Sequence, residues 1–203
     1  EKVCKFSNYL KKLSLKKGDR VAAYVPNKIE TIISFLACAK NGIIWSSCSP
    51  DFGVQGVVDR FKQIEPKVLI TSDYYFYNGK KINILDKVDE VLKQIPSIEK
   101  VIVYNYYKKE KENLKNFIDF EETLKIETDE SFERFEFNHP IYILFSSGTT
   151  GKPKCITHGT GNVLIEHNKE FMLHCDIRDN EKLFYYTTTG WMMWNWLVGG
   201  LAT

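Results

Sequence analysis

The chain reads as an α/β fold built on a largely parallel sheet. Three observations point there. Short apolar runs alternate with helical stretches of roughly ten to fifteen residues, the rhythm of βαβ units. The runs are continuously apolar, as in strands covered on both faces. Turn and stop signals, among them "KKGDR", Pro26 and Gly42, separate the elements.

Taken in order, residues 3–15 place Val3, Phe6, Leu10 and Leu13 on one helical face. "VAAYV" at 21–25 is a buried strand ended by Pro26. Residues 28–41 have helical spacing through Ile29, Ile32, Ile33, Leu36 and Ala37, with Gly42 placed just past the helix end. "IIWSS" at 43–47 is a second strand. Asp51 is positioned to cap a helix carrying Val54, Val57, Val58 and Phe61. A strand at 67–72, a helix near 87–95 and a strand at 101–104 follow. Residues 105–139 are polar, acidic and irregular, with a short helix near 119–125. Then come a strand at 141–145, a further strand over "CITH", a helix over roughly 162–174 and a strand at 182–188.

Composition narrows the function class. The chain has 203 residues, 43% of them hydrophobic, enough for one core or a piece of a larger one. Its 28 basic and 26 acidic residues leave a net charge of +2, without the clustered excess that nucleic acid binding needs. The densest charge run, "YKKEKEN" at 107–113, mixes both signs and reads as solvated surface. The five cysteines are odd in number and form no CxxC, which argues against a disulfide framework. No Asn-x-Ser/Thr acceptor occurs, and residues 1–20 are amphipathic and lysine-rich, unlike a signal peptide. The longest apolar run, "WMMWNWLVGGLA" at 191–202, is twelve residues, too short to span a bilayer. The expectation is a cytosolic protein with no membrane segment. No linker divides the chain, so residues 1–203 are expected to lie within one domain.

The most informative stretch is "ILFSSGTTGKPKCITH" at 143–158. It fails the Walker pattern, since Ser146 holds the first glycine position and Pro153 follows Lys152. It contains no nucleophile elbow. It still concentrates what polyphosphate requires. Gly148 and Gly151 let backbone N–H groups turn toward one point. Ser146, Ser147, Thr149 and Thr150 add hydroxyls, and Lys152 and Lys154 add charge on either side of the stiffening Pro153. A plain Ser/Gly/Thr turn accounts for the composition equally well.

"FSSGTTGKPK" resembles the phosphate-binding signature of the adenylate-forming superfamily, which includes acyl-CoA synthetases, luciferases and peptide-synthetase adenylation domains. That signature runs Thr-Ser-Gly-Ser/Thr-Thr-Gly-x-Pro-Lys-Gly. Ser146 replaces its usual Thr and Cys155 its usual Gly. The flanking text, "VAAYVPN" through "EPKVL" at 21–69 and "KCITHGTGN" through "WLVGGLA", is similar to the acetoacetate-activating branch of the acyl-CoA synthetases. Asn162 stands where that branch has a second Gly, at an expected helix start where Asn can cap. The likeness thins between 105 and 139.

The resemblance implies a piece of the large N-terminal domain of such an enzyme, without its small C-terminal domain. It implies an acid–thiol ligase: acetoacetate attacks the α-phosphate of ATP, and coenzyme A then takes the acyl group from the adenylate, with Mg²⁺ at the phosphates. Carried over, Ser146, Ser147, Gly148, Thr149, Thr150, Gly151, Lys152 and Lys154 hold the β- and γ-phosphates, Lys154 foremost. Trp191, Met192, Met193, Trp194 and Asn195 line the acyl pocket, where Asn195 could bond the keto oxygen. Core packing is the alternative for such a Trp/Met stripe. Lys80, in "YNGK", falls near the coenzyme A nucleotide, or is a turn lysine. No catalytic base or nucleophile is implied in this stretch, and 203 residues alone are not expected to turn over. Cys155 and His158, and the adjacent His174 and Cys175, lack the spacing of a small zinc site. His139 and His167 receive structural readings. Two other functions stay open: an adenylating enzyme for acetate or propionate, and a nucleotide-binding module without ligase activity.

Overall fold

The computed structural model describes residues 1–106, 117–128, 130–147 and 151–202. Seven strands form one sheet: β1 Arg20–Tyr24, β2 Ile44–Cys48, β3 Val68–Ser72, β6 Lys100–Tyr104, β7 Ile118–Asp119, β8 Pro140–Ser146 and β9 Lys154–Gly159. Their order is β7-β6-β3-β1-β2-β8-β9, and every neighbouring pair is parallel except β8–β9. A separate antiparallel hairpin joins β4 Tyr74–Tyr77 to β5 Lys80–Asn83.

Helices cover both faces. On one side α1 Lys2–Lys12 and α2 Ile29–Lys40 bury Phe6, Leu10, Ile33 and Phe35 against Val21, Ala23 and Val25. On the other, α3 Val54–Ile64 and α4 Leu85–Gln94 bury Val57, Phe61, Val88 and Val91 against Ala22 and Tyr24. Alternate residues of β1 therefore feed two different cores, which is why the strand is apolar throughout. The short α5 Phe120–Thr123 lies in the irregular stretch, capped by Asp119, which accepts from the Glu121 N–H at 3.0 Å. The chain closes with α6 Thr160–Lys169, a π turn at Glu170–His174 and α7 Met192–Gly199.

α2 ends in a Schellman motif. Gly42 has φ 63°, its N–H bonds Ala39 O at 3.2 Å, and the Ile43 N–H bonds Cys38 O at 3.0 Å.

Several sequence expectations are corrected. Residues 182–188 form no strand; Phe184 and Tyr186 are both 84% exposed while Tyr185 packs on Trp196, so the alternation exists without a ladder partner among the described residues. Asp51 does not cap α3, which starts after Gly53; its carboxylate accepts from the Ser49 hydroxyl at 2.8 Å. Asn162 lies inside α6, whose cap is Gly159. Two features were unforeseen. The β4–β5 hairpin turns at Asn78 (φ 48°) and Gly79 (φ 73°), the Asn-Gly signal of a type I′ turn. The run after Trp191 is the helix α7.

Candidate functional site

Because β8 is parallel to β2, Ser146 leaves the sheet at the edge where Tyr24, Cys48 and Ser72 end β1, β2 and β3. The chain passes from β1 to β2 on one side and from β2 across to β3 on the other, so the winding reverses at β1. Ligands in open α/β sheets bind outside this carboxyl edge, near such a reversal.

The phosphate-type loop emerges there. β8 and β9 pair antiparallel, Ser146 opposite Lys154, so the loop joins strand to strand. Ser146 is half-buried; Ser147, Gly151, Lys152 and Lys154 are exposed. Gly148, Thr149 and Thr150 lie outside the described residues. Gly151 has φ 141° with no atom within 4 Å of an added Cβ, so its backbone path, not crowding, calls for glycine. Among the described residues neither Lys152 nor Lys154 pairs with a carboxylate. Two ammonium groups unneutralised among the described residues thus stand on the limb leading into β9, and Ser146 and Ser147 bring hydroxyls on the other limb.

The loop's limbs rest on α3. Arg60 stacks over Phe52 with its guanidinium carbon 4.6 Å from the ring centroid, and 6.0 Å from that of Phe145, which precedes Ser146. Gln63 Nε2 donates to Pro153 O at 2.8 Å and to Asp59 O at 2.6 Å. The Cys155 thiol donates to Gln63 Oε1 at 3.7 Å. Burial pushes the Cys155 thiol above its ordinary pKa, so it keeps its S–H at neutral pH. No local pattern marks Gln63, which lies ninety positions before Pro153.

The aromatic segment is pinned to the same edge by Thr189. This fully buried residue donates from Oγ1 to Val25 O at 2.7 Å, and its carbonyl accepts from the Ser47 hydroxyl at 2.6 Å. Gly190 follows, where an added Cβ would stand 3.1 Å from the Ser49 nitrogen. Trp191 and Met192 are exposed and Met193 half-buried. Trp191 and Met193 line a cavity of about 250 Å³ with Tyr185–Thr188. Met192 and Met193 line a second of about 630 Å³, with Tyr142, Ile156, His158 and His167. Trp194 lines neither. It is a core residue, stacked 6.4 Å from Trp45, edge-on to Phe35, and bonded from Nε1 to Asn27 Oδ1 at 2.9 Å. Its i+1 neighbour Asn195 is 2% exposed, lines neither cavity, and has no partner among the described residues for its amide oxygen or nitrogen.

Lys80 opens β5 and is exposed beside the Asn78–Gly79 turn, on the hairpin that directly follows β3. The two histidines read as structural differ. His139 is buried, bonded to Gly42 O at 2.8 Å and stacked on Phe135. His167 forms part of the larger cavity's wall, and burial, with the nearby His158, holds its pKa below the ordinary value against the opposing pull of Glu166. Among the described residues no group of three or more His, Cys, Asp or Glu gathers where a metal could be held. Among the described residues no helix is long and apolar enough to cross a membrane.

This geometry agrees with what the chain is similar to. It is 44% identical to the acetoacetyl-CoA synthetase of Gallus gallus, over 99% of this chain and 32% of that protein. It is 51% identical to the acetoacetyl-coenzyme A synthetase of Rhizobium meliloti (strain 1021), over 91% of this chain and 29% of that one. The solved structure of the acetoacetyl-CoA synthetase from Streptomyces lividans matches with a TM-score of 0.93 at 41% identity, covering 98% of this chain and 31% of that one. The chain spans about a third of the length of these relatives. A family model described as AMP-binding enzyme matches residues 1–201, and with a sheet and loop of this form the chain belongs to that family.

Proposed function

We propose that this chain is part of the large N-terminal domain of an acid–thiol ligase that activates acetoacetate with ATP and passes it to coenzyme A. The observation that carries the reading is the loop Ser146–Lys154. It presents hydroxyls and two lysines unpaired among the described residues at the carboxyl edge of the sheet, in a chain 43–51% identical to acetoacetyl-CoA synthetases.

In this reading a carboxylate oxygen of acetoacetate attacks the α-phosphorus, the bond to the bridging oxygen breaks, and pyrophosphate leaves. The carboxylate is already a nucleophile, so no residue here acts as its base. What the step needs is a neutralised leaving group. Ser146, Ser147, Gly148, Thr149, Thr150 and Gly151 hold the β- and γ-phosphates, with Lys152 and Lys154 supplying charge. The thiolate of coenzyme A then attacks the adenylate carbonyl and AMP departs. Lys80, on its exposed hairpin, meets the nucleotide end of coenzyme A. Trp191, Met192 and Met193 bound the acyl side; the buried Asn195 donates from Nδ2, unpartnered among the described residues, to the keto oxygen. Mg²⁺ travels with the phosphates, no described residue is assigned to it, and no step above is routed through it. A cytosolic location fits the five cysteines.

ATP–pyrophosphate exchange by the full-length protein over a panel of short acids tests the substrate. Acetoacetate is expected to give the highest kcat/KM; a preference for acetate or propionate would overturn this reading.

A further inference from the structure

We infer that Gln63 is a positioning residue for the phosphate loop: it braces the lysine-bearing limb against α3 and sets ATP affinity without touching the nucleotide. The inference rests on the phosphate-holding role proposed for Ser146–Lys154.

Gln63 is exposed, and an exposed glutamine ordinarily stays solvated and free to rotate. This one is committed at both ends of its amide. Nε2 donates both hydrogens to carbonyls, Asp59 O on its own helix and Pro153 O across the loop. Oε1 accepts from the Cys155 thiol. Two acceptor-only partners at one end and an S–H at the other settle which way the amide points. Pro153 and Cys155 are the immediate neighbours of Lys154, so one side chain grips the backbone on one side of that lysine and the side chain on the other. Pro153 fixes φ at its own position. The carbonyl held by Gln63 fixes the next peptide plane, from which Lys154 projects.

The ladder cannot do this alone. Its last registered pair is Ser146 with Lys154, and Pro153 has no N–H to extend it. One turn earlier on the same helix, Arg60 lies against Phe145 of the other limb. α3 thus supports the loop on both sides. Cys155, the departure from the superfamily signature, has a structural reason here: it supplies the donor that the Gln63 oxygen needs, where a glycine would offer none.

The test is steady-state kinetics and ATP–pyrophosphate exchange on full-length wild-type, Gln63→Leu, Gln63→Lys and Lys154→Ala proteins. Gln63→Leu keeps the bulk and removes the donors; KM for ATP is expected to rise about fivefold to tenfold, with KM for coenzyme A and the melting temperature unchanged. Gln63→Lys restores one donor to Pro153 O and is expected to recover most of that loss. An unchanged KM for ATP in Gln63→Leu, or an equal rise in the KM of every substrate, overturns the inference. Lys154→Ala separates the two levels of argument. If it impairs exchange while Gln63→Leu does not, the loop holds phosphate and only the brace fails. If Lys154→Ala is also without effect, the phosphate reading itself fails. Amide hydrogen exchange of the peptide covering 151–156 needs no activity: Gln63→Leu is expected to accelerate it, and unchanged protection overturns the brace whatever the kinetics show.

Discussion

Lys154 combines three properties that few of the described lysines share. It is exposed, it has no carboxylate partner among the described residues, and its backbone is held on both sides by β9 and the Gln63–Pro153 bond. A charge placed this firmly acts on a developing oxyanion with little reorganisation. Lys154→Ala in the full-length protein is expected to slow adenylation by about 10²–10³-fold. Near-normal exchange would remove it from the site. Gly42 is a contrasting case, where the demand is geometric. Its φ of 63° and the Phe135 ring 2.7 Å from an added Cβ leave no room for a side chain. Gly42→Ala is expected to destabilise by at least ~1–2 kcal/mol, the backbone part alone, read from the urea midpoint.

Between elements, the packing of α6 on α7 turns on His167. Its ring is buried, and Gly199 of α7 gives it space that a Cβ would take. Burial holds the folded pKa below 6.5, so the unfolded chain takes up the proton first as pH falls. The sign follows: His167 leaves stability untouched above about pH 7 and subtracts from it as pH drops through the unfolded value of 6.5. His167→Gln, neutral throughout, is expected to lose less melting temperature between pH 7.5 and 5.5 than wild type. An equal loss in both would show that His167 does not set the acid sensitivity. The same level of structure explains one misreading. Residues 182–188 have a strand's alternation but no ladder partner among the described residues, and pairing, not pattern, makes a strand. The Asn78–Gly79 turn, by contrast, carried a readable hairpin signal in "YNGK".

Across the sheet, the order β3-β1-β2-β8 sends the loop, the Thr189 anchor and the Lys80 hairpin to one edge. That convergence locates a site, yet the relatives are about three times as long as this chain. Residues 1–203 expressed alone are therefore expected to give no acetoacetate-dependent ATP–pyrophosphate exchange; measurable exchange would show the described edge to be sufficient. Much of this arrangement was legible beforehand. The parallel strands announced themselves because both faces are buried, and α2 because Gly42 stops it with a left-handed turn. The loop stood out because hydroxyls, glycines and lysines crowd into nine positions, which a plain turn also allows, and the phosphate role proposed for it came from its resemblance to a known signature. Trp194 and Gln63 were not legible. "WMMWNW" gives no sign of which indole meets Trp45 and which faces outward, since that depends on where α7 lies against β2. Gln63 acquires its role only when α3 comes against a loop ninety residues away. Local chemistry is written in adjacent residues, because propensity, capping and phosphate binding act over a few positions. Which residues brace, fill or line the site was decided by packing between distant segments, whose contacts no stretch of sequence contains.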